Sequence, residues 1–289
     1  MLAQFIVNGL GSGILYSLLA IGFALVYNTT KVFHIVAAAI YVFAAYMFYL
    51  FGVMLSLPIV LAATMAIVTT MGLSLLTDVS VYRLLERRNA SNNVAMIASI
   101  GMMTVIVNAI ALCFGNETKV LNSTLQKTYR YGELMVTTPQ LAQLVVGIVL
   151  IVLFLLFIRF TPWGIRLRAL SADASLFSTL GYDIGHTRTF VFLLSGLFIA
   201  TAACLSAYDI GMDPHVGMNV LINAMVAMII GGVGRFGTCV IGGITLGILQ
   251  ALTVYQFSTN WQNAITFIVL LLLLFLRPQG IAGYKQRTV

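Results

Sequence analysis

Residues 231–238 read Gly-Gly-Val-Gly-Arg-Phe-Gly-Thr, and Gly232, Gly234 and Gly237 stand in the spacing G-x-G-x-x-G. In a dehydrogenase that spacing cradles a dinucleotide pyrophosphate, provided that a strand enters it, a helix leaves it and an acid follows about 20 residues later to hold the ribose. Here long apolar runs flank the glycines on both sides, and no Asp or Glu follows Gly237. The motif therefore implies no nucleotide on this chain. Gly231, Gly232, Gly234 and Gly237 suit a tight reversal between two close helices instead, with Arg235 marking its aqueous turn. The other chemistry-bearing residues are equally scattered. His34, His186 and His215 fall in separate loops, with no H-E-x-x-H or G-x-S-x-G pattern to build a metalloprotease or hydrolase. Cys113, Cys204 and Cys239 lie in apolar surroundings without C-x-x-C spacing and read as small buried hydrophobes. Asp209, Asp213 and His215 fit no common ligand spacing and read as a solvated loop. Neither an enzyme nor a resident metal or cofactor is expected.

The elements that hold these residues are dictated by composition. Of 289 residues, 61% are hydrophobic and only 8% charged, against about 25% charged in soluble domains. This is the composition of an integral membrane protein, expected to be all-α and polytopic with about eight to ten transmembrane helices in a single domain over 1–289. With about 20 apolar residues per crossing, nine segments emerge: 4–27, 32–53, 57–77, 94–114, 140–158, 189–209, 218–234, 237–257 and 261–276. The first lacks a basic leader and a small-residue cleavage site, so it is read as a spanning helix. Asn28, Thr29, Thr30 and Lys31 interrupt the first two segments, which are candidates for broken helices.

Charge orients the bundle. One set of loops carries Arg83, Arg87, Arg88, Arg159, Arg166, Arg168, Arg188, Arg235, Arg277, Lys285 and Arg287; the other carries Lys119, Lys127 and Arg130, partly offset by Glu117 and Glu133. The first set is expected to be cytoplasmic, which places the C-terminus inside and the N-terminus outside. The net charge of +7 reflects this topology and contact with anionic lipid. Nucleic acid is not an expected partner, since no soluble basic face with interleaved aromatics is present.

Two loops are long enough to act. The outer one, 115–139, is polar and could carry a short hairpin or an amphipathic turn. In the inner one, 160–188, Thr161 and Pro162 break the preceding span, Gly164 permits a turn, and Ser171 is a candidate cap for a short helix from Ala172 to Leu180 that stops at Gly181. Leu176, Phe177 and Leu180 give that helix apolar anchors beside the small Ala174, Ser175 and Ser178. Near the first interruption, Asn28, Thr29 and His34 either line the inner end of a pathway or form a polar turn at headgroup level. Asp78 and Arg83 either form a local ion pair or serve transport.

The chain resembles the permease subunits of branched-chain amino acid ABC transporters, of the LivH type, from its first helix to its C-terminus. The resemblance is carried by residues 9–32, by "TDVSVYRLLERR" with Asp78, Tyr82 and Arg83, by "MIASIGMM", by the inner loop with Gly164, Arg168, Ala169 and Gly181, by the glycine-rich 229–249 and by "LFLRPQGIAG". It departs at residues 34–39, where His34 stands for the family's Asn, and Ala37, Ala38 and Ala39 for a His, a Gly and an acid. The resemblance implies an importer working by alternating access in a bacterial inner membrane. Arg168, Ala172, Asp173, Ala174, Leu176, Phe177, Leu180 and Gly181 would then form the coupling segment for two cytoplasmic ATPase subunits, which bind the ATP and Mg. It further implies a second related permease or a second copy of this chain, and an external solute-binding protein. An ion-coupled carrier or channel is the alternative.

Overall fold

The computed structural model describes residues 2–121, 128–131, 134–276 and 280. Helix α1 (Leu2–Thr30) runs through the centre of the bundle; its lower half is buried almost without interruption. In a membrane every backbone polar group must find an internal partner, which is why an apolar run of this length is helical. The helix ends where Thr29 and Thr30 donate their hydroxyls back to Leu25 O and Val26 O at 2.7 and 2.8 Å, and where Lys31 turns left-handed with φ 57°. Residues 32–36 are not helical, so α2 begins at Ala37 and not near 32. Protein groups satisfy this exposed backbone: the Val36 N–H donates to Ser99 Oγ at 3.0 Å.

The remaining elements follow in order. Helix α2 (Ala37–Tyr49) continues as a π-helical turn, Leu50–Met54; α3 (Ile59–Thr77) passes through a second π-turn, Asp78–Tyr82, into α4 (Arg83–Arg87). Then come α5 (Asn92–Phe114), strands β1 (Thr128–Tyr131) and β2 (Leu134–Thr137), α6 (Thr138–Phe160), α7 (Pro162–Ala172) and α8 (Ala174–Thr179). Helices α9 (Ile184–Asp209), α10 (Gly217–Gly231), α11 (Cys239–Gln256) and α12 (Gln262–Leu276) complete the chain, with a 3₁₀ turn, Thr259–Trp261, before the last.

Among the described residues eight helical stretches are long and apolar enough to cross a membrane. The expected ninth span, 218–234, is the 15-residue α10. At 1.5 Å per residue it reaches about 22 Å, short of a hydrocarbon core of about 30 Å. It is short because the chain dips inward before it starts: Gly217 sits so close to α2 that a Cβ there would meet Ala38 O at 2.6 Å.

The two ends of the bundle are sorted as charge predicts. At one end the Gln4 side chain brackets the β-hairpin, donating to Met135 O at 2.8 Å and accepting from its N–H at 2.9 Å, and Lys119 bridges Met212. The polar loop 115–139 thus does contain a hairpin, with Thr128 opposite Thr137. At the basic end Lys31 Nζ donates to Ser171 O at 3.1 Å, and burial lowers the Lys31 pKa. Arg277, Lys285 and Arg287 lie outside the described residues, as do Lys127 and Glu133.

Helices α1 and α11 pack backbone against backbone. A Cβ at Gly247 would lie 2.4 Å from Gly13 N, and one at Gly243 2.3 Å from Ser17 Oγ. Such contact replaces hydrophobic driving force, which lipid cannot supply between helices, with dense packing. Gly247→Val is expected to lower the unfolding temperature of the detergent-solubilised chain, with overpacking costing about 1–3 kcal/mol. Gly72→Ala, inside α3 where nothing lies within 4 Å of a Cβ, should not lower it in the same fluorescence melt.

Candidate functional site

The basic end carries a largely exposed segment between α6 and α9. Thr161 closes α6 and caps α7, accepting from Gly164 N at 3.1 Å, with Pro162 in the first turn. The corner is tight: a Cβ on Gly164 would meet Ile158 O at 2.4 Å. Helix α7 then runs through Ser171 and Ala172, so Ser171 is not the cap of the next helix. Asp173 is that cap, its Oδ1 accepting from Ser175 N at 2.8 Å and Leu176 N at 3.1 Å. Aspartate wins over Ser171 because its carboxylate accepts two N–H groups and the Ser175 hydroxyl together. The short helix is therefore Ala174–Thr179, and Ala172 belongs to its predecessor. Leu180 follows it, and the chain turns at Gly181 with φ 83°.

The three apolar residues of this segment do different things. Phe177 is buried and stacks on Tyr182 with ring centroids 5.2 Å apart. Leu176 and Leu180 are 59% and 65% exposed, and Arg168, Ala172 and Ala174 are exposed beside them. The Ser175 hydroxyl, with the Leu176 and Ser175 N–H groups, holds the Asp173 pKa below the ordinary carboxylate value. A depressed pKa means that the cap's contribution is present above the ordinary value and is lost as pH falls through the lowered one. Asp173→Ala is expected to weaken α8 by removing the acceptor of its first N–H groups. Hydrogen exchange should show 174–179 opening faster in that variant, with Asp173→Asn largely restoring protection.

Behind this segment lies a buried ionic joint. Asp78, fully buried on the π-turn, accepts from Arg83 Nε at 2.8 Å and Arg188 Nε at 2.7 Å. Arg188 also pairs with Glu86, and Arg83 with Thr189. Asp78 and Arg83 are thus no mere local pair at a helix end: Arg188, from the first turns of α9, completes the cluster and ties α3–α4 to α9. Arg188 also lines a hollow of about 200 Å³ with Thr29, Lys31, Glu86, Ser171 and Ala174.

The first-interruption residues separate in the structure. Thr29 lines that hollow at the basic end. Asn28 is buried and its Oδ1 accepts from Gly234 N at 3.2 Å, pinning the glycine loop to α1. His34 is fully buried, its Nδ1 2.9 Å from the Tyr82 hydroxyl, which is itself 2.9 Å from Ser99 Oγ. Its ring also meets Phe192 edge-on at 5.5 Å. It holds the non-helical 32–36 in place. The loop that Asn28 pins is a reversal between α10 and α11, where Gly232 and Gly234 adopt φ 105° and 96° and Gly231 packs against Thr238 O; Gly237 abuts Leu155.

At the opposite end a cavity of about 280 Å³ opens between α1, α2, α9 and α10. Its walls include Tyr16, Tyr41, Ser206, Asp213, Asn219 and Asn223. Below it a narrow apolar hollow reaches Leu19, Phe23, Ala37, Ala38 and Ile199. Phe23, Tyr27 and Phe33 then pack ring on ring, Phe33 lying 5.6 and 5.5 Å from the other two. None of Asn28, Thr29 and His34 reaches this cavity. Sequence reasoning missed its polar wall, although Asn223 and Gln250 inside apolar spans were a visible signal. Asp213, read as part of a solvated loop, stands at the mouth, its Oδ1 accepting from His215 N at 2.7 Å. Among the described residues no cluster suits a metal. Cys204 and Cys239 are buried, but Cys113 faces outward from α5.

Comparison with known proteins shows the family of the chain. A family model described as the branched-chain amino acid transport system permease component matches residues 5–274. The high-affinity branched-chain amino acid transport system permease protein BraD of Pseudomonas aeruginosa is 26% identical over 98% of this chain and 96% of its own. LivH of Escherichia coli K12 is 26% identical over 96% and 94%, and the probable LivH of Methanocaldococcus jannaschii 30% identical over 95% and 91%. Among solved structures, PsaBC from Streptococcus pneumoniae in complex with Fab shares the fold, with a TM-score of 0.54 at 14% identity over 96% of this chain and 97% of that one. The chain belongs to the permease components of branched-chain amino acid transport systems, the membrane-spanning subunits of ABC importers.

Proposed function

We propose that this permease carries a small solute, a branched-chain or other amino acid, into a bacterial cytoplasm across the inner membrane by alternating access. Arg168, Ala172 and α8 with Leu180 and Gly181 form the cytoplasmic surface on which the ATPase pair docks, ATP and Mg staying on those subunits. A solute-binding protein delivers to the opposite end, and a second permease, related or identical, completes the pathway. Lipid covers the apolar outer surfaces of α5, α6 and α12.

The observation that carries this reading is the placement of two features on the same helices. Helices α1 and α9 form walls of the outer cavity, while at their other ends Lys31 reaches Ser171 and Arg188 joins the ionic cluster behind α7 and α8. A displacement of α7–α8 therefore has a packed, ion-paired route to the cavity walls, as rigid-body switching requires. An ion-coupled carrier would place titratable groups along the pathway. Here the charges of Asp78, Arg83 and Arg188 are joined in one cluster, and none of the three lines the outer cavity.

Co-purification tests the docking step. The full chain is expected to retain its ATPase subunits through size-exclusion chromatography, and deletion of 172–181 should release them. Retention by the deletion variant would sink the assignment of α8.

A further inference from the structure

The wall of the outer cavity is held by a hydrogen-bond hub that does not itself line it. Gln250 on α11 is 1% exposed. Its Oε1 accepts from the Tyr16 hydroxyl at 2.8 Å and from Gln262 Nε2 at 3.0 Å. Its Nε2 donates to Asn223 Oδ1 at 3.1 Å and Thr266 Oγ1 at 2.7 Å. All four hydrogen-bonding positions of the amide are filled, so its orientation is fixed by the network. The Thr266 hydroxyl lies 3.3 Å from the same Asn223 oxygen.

This has a chemical consequence for the two residues that do line the cavity. The Asn223 oxygen is occupied from behind, while its amide nitrogen has no partner among the described residues, although the residue is 92% buried by its 8% relative exposure. The Tyr16 proton is directed to Gln250, which leaves its oxygen as an acceptor. A donor that opens onto the cavity with no protein partner is left for solvent or ligand to meet. The described wall holds one acid, Asp213, and no Lys, Arg or His. The hollow beneath is apolar, with Ala37 and Ala38 among its lining.

We infer that the outer cavity is a solute-recognition site, in which Asn223 Nδ2 donates to a carboxylate or amide oxygen of the solute and Tyr16 Oη accepts from its N–H or O–H. The ligand class is a small zwitterionic or neutral molecule with an acceptor head and an apolar body, and not a net anion. Gln250 is a positioning residue that sets the donor and acceptor sense of the wall. The inference rests on the importer reading and names the site where that importer meets its solute.

Ligand-observed NMR on the full chain in detergent micelles tests it, with L-leucine, 4-methylvaleramide (a neutral carbonyl oxygen without the ammonium) and isoamylamine (the amine without any acceptor oxygen) as probes. The expected order places L-leucine first and isoamylamine at least tenfold weaker than 4-methylvaleramide. This measurement needs no variant, so it stands even where a substitution fails to fold. Asn223→Asp keeps the oxygen that Gln250 and Thr266 hold but replaces the donor, and should reverse the preference towards isoamylamine. Gln250→Met should erase the preference without touching the cavity lining. A wild-type chain that does not discriminate between the probes, or variants that shift all three by the same factor, would overturn the inference. ATPase retention by the same preparations separates the two readings: discrimination without retention removes the importer assignment alone, and retention without discrimination removes this site alone.

Discussion

Asp78→Ala is expected to be strongly destabilising, lowering the free energy of unfolding in detergent by about 3–5 kcal/mol. Asp78 is fully buried and is the common acceptor of two guanidinium groups, Arg83 on one side and Arg188 on the other. Removing it leaves Arg188, only 9% exposed at its side chain, next to Arg83 with no carboxylate between them but Glu86 at the edge. The loss is far larger than the pair's own worth, because an uncompensated buried charge remains. Two features sharpen the test. Asp78→Asn retains shape and some hydrogen bonding and should cost less. Arg188→Ala in the Asp78→Ala background should cost less than Arg188→Ala alone, since the charge stranded by the first change is gone; a double-mutant cycle in urea or thermal unfolding measures this coupling. Additive losses would show that the joint does not act as a unit.

Much of this architecture was legible from composition. Apolar runs separated by basic or polar loops gave the long helices, because a bilayer admits few other spanning forms, and the sorting of Arg and Lys matched the two ends that Gln4 and Lys31 occupy. Gly181 as a stop and the glycine reversal at 231–237 were legible because positive φ and close backbone approach both favour glycine. What escaped was decided by tertiary partners. The late start of α2 depends on Ser99, sixty-three residues away from the Val36 N–H it accepts. Ser171 and Asp173 are both good caps locally; the carboxylate's extra hydrogen bonds chose between them. The role of Arg188 could not be seen beside Asp78, because 110 residues separate the two in sequence. The recognition wall was missed for the same reason. Tyr16, Asn223, Gln250, Gln262 and Thr266 come from four helices, and no spacing rule links them.

The second large effect is expected at the α8 surface. Leu176 and Leu180 are 59% and 65% exposed, whereas their neighbour Phe177 anchors the segment inward. A soluble exposed loop has little reason to present two leucines one turn apart; a docking surface has, since apolar anchors at the centre of an interface carry most of its binding energy. Leu176→Glu with Leu180→Glu therefore should change the stability of the chain by no more than about 0.5 kcal/mol, as exposed substitutions do. Yet two interface anchors at about 2 kcal/mol each would weaken ATPase docking by at least tenfold. Phe177→Ala should do the opposite, destabilising the segment itself through the loss of a buried ring by about 3–5 kcal/mol. The contrast between the two variants separates a surface that binds a partner from one that merely covers the bundle.

The decisive measurement is ATP-driven uptake into proteoliposomes holding the complete importer, with the Leu176→Glu, Leu180→Glu double variant compared with the wild type under identical ATP and solute. The account predicts an uptake rate at least tenfold lower in the double variant, with an unchanged melting temperature and unchanged probe binding at the outer cavity. Wild-type uptake by the double variant, or uptake by the wild type that continues without ATP, would contradict it.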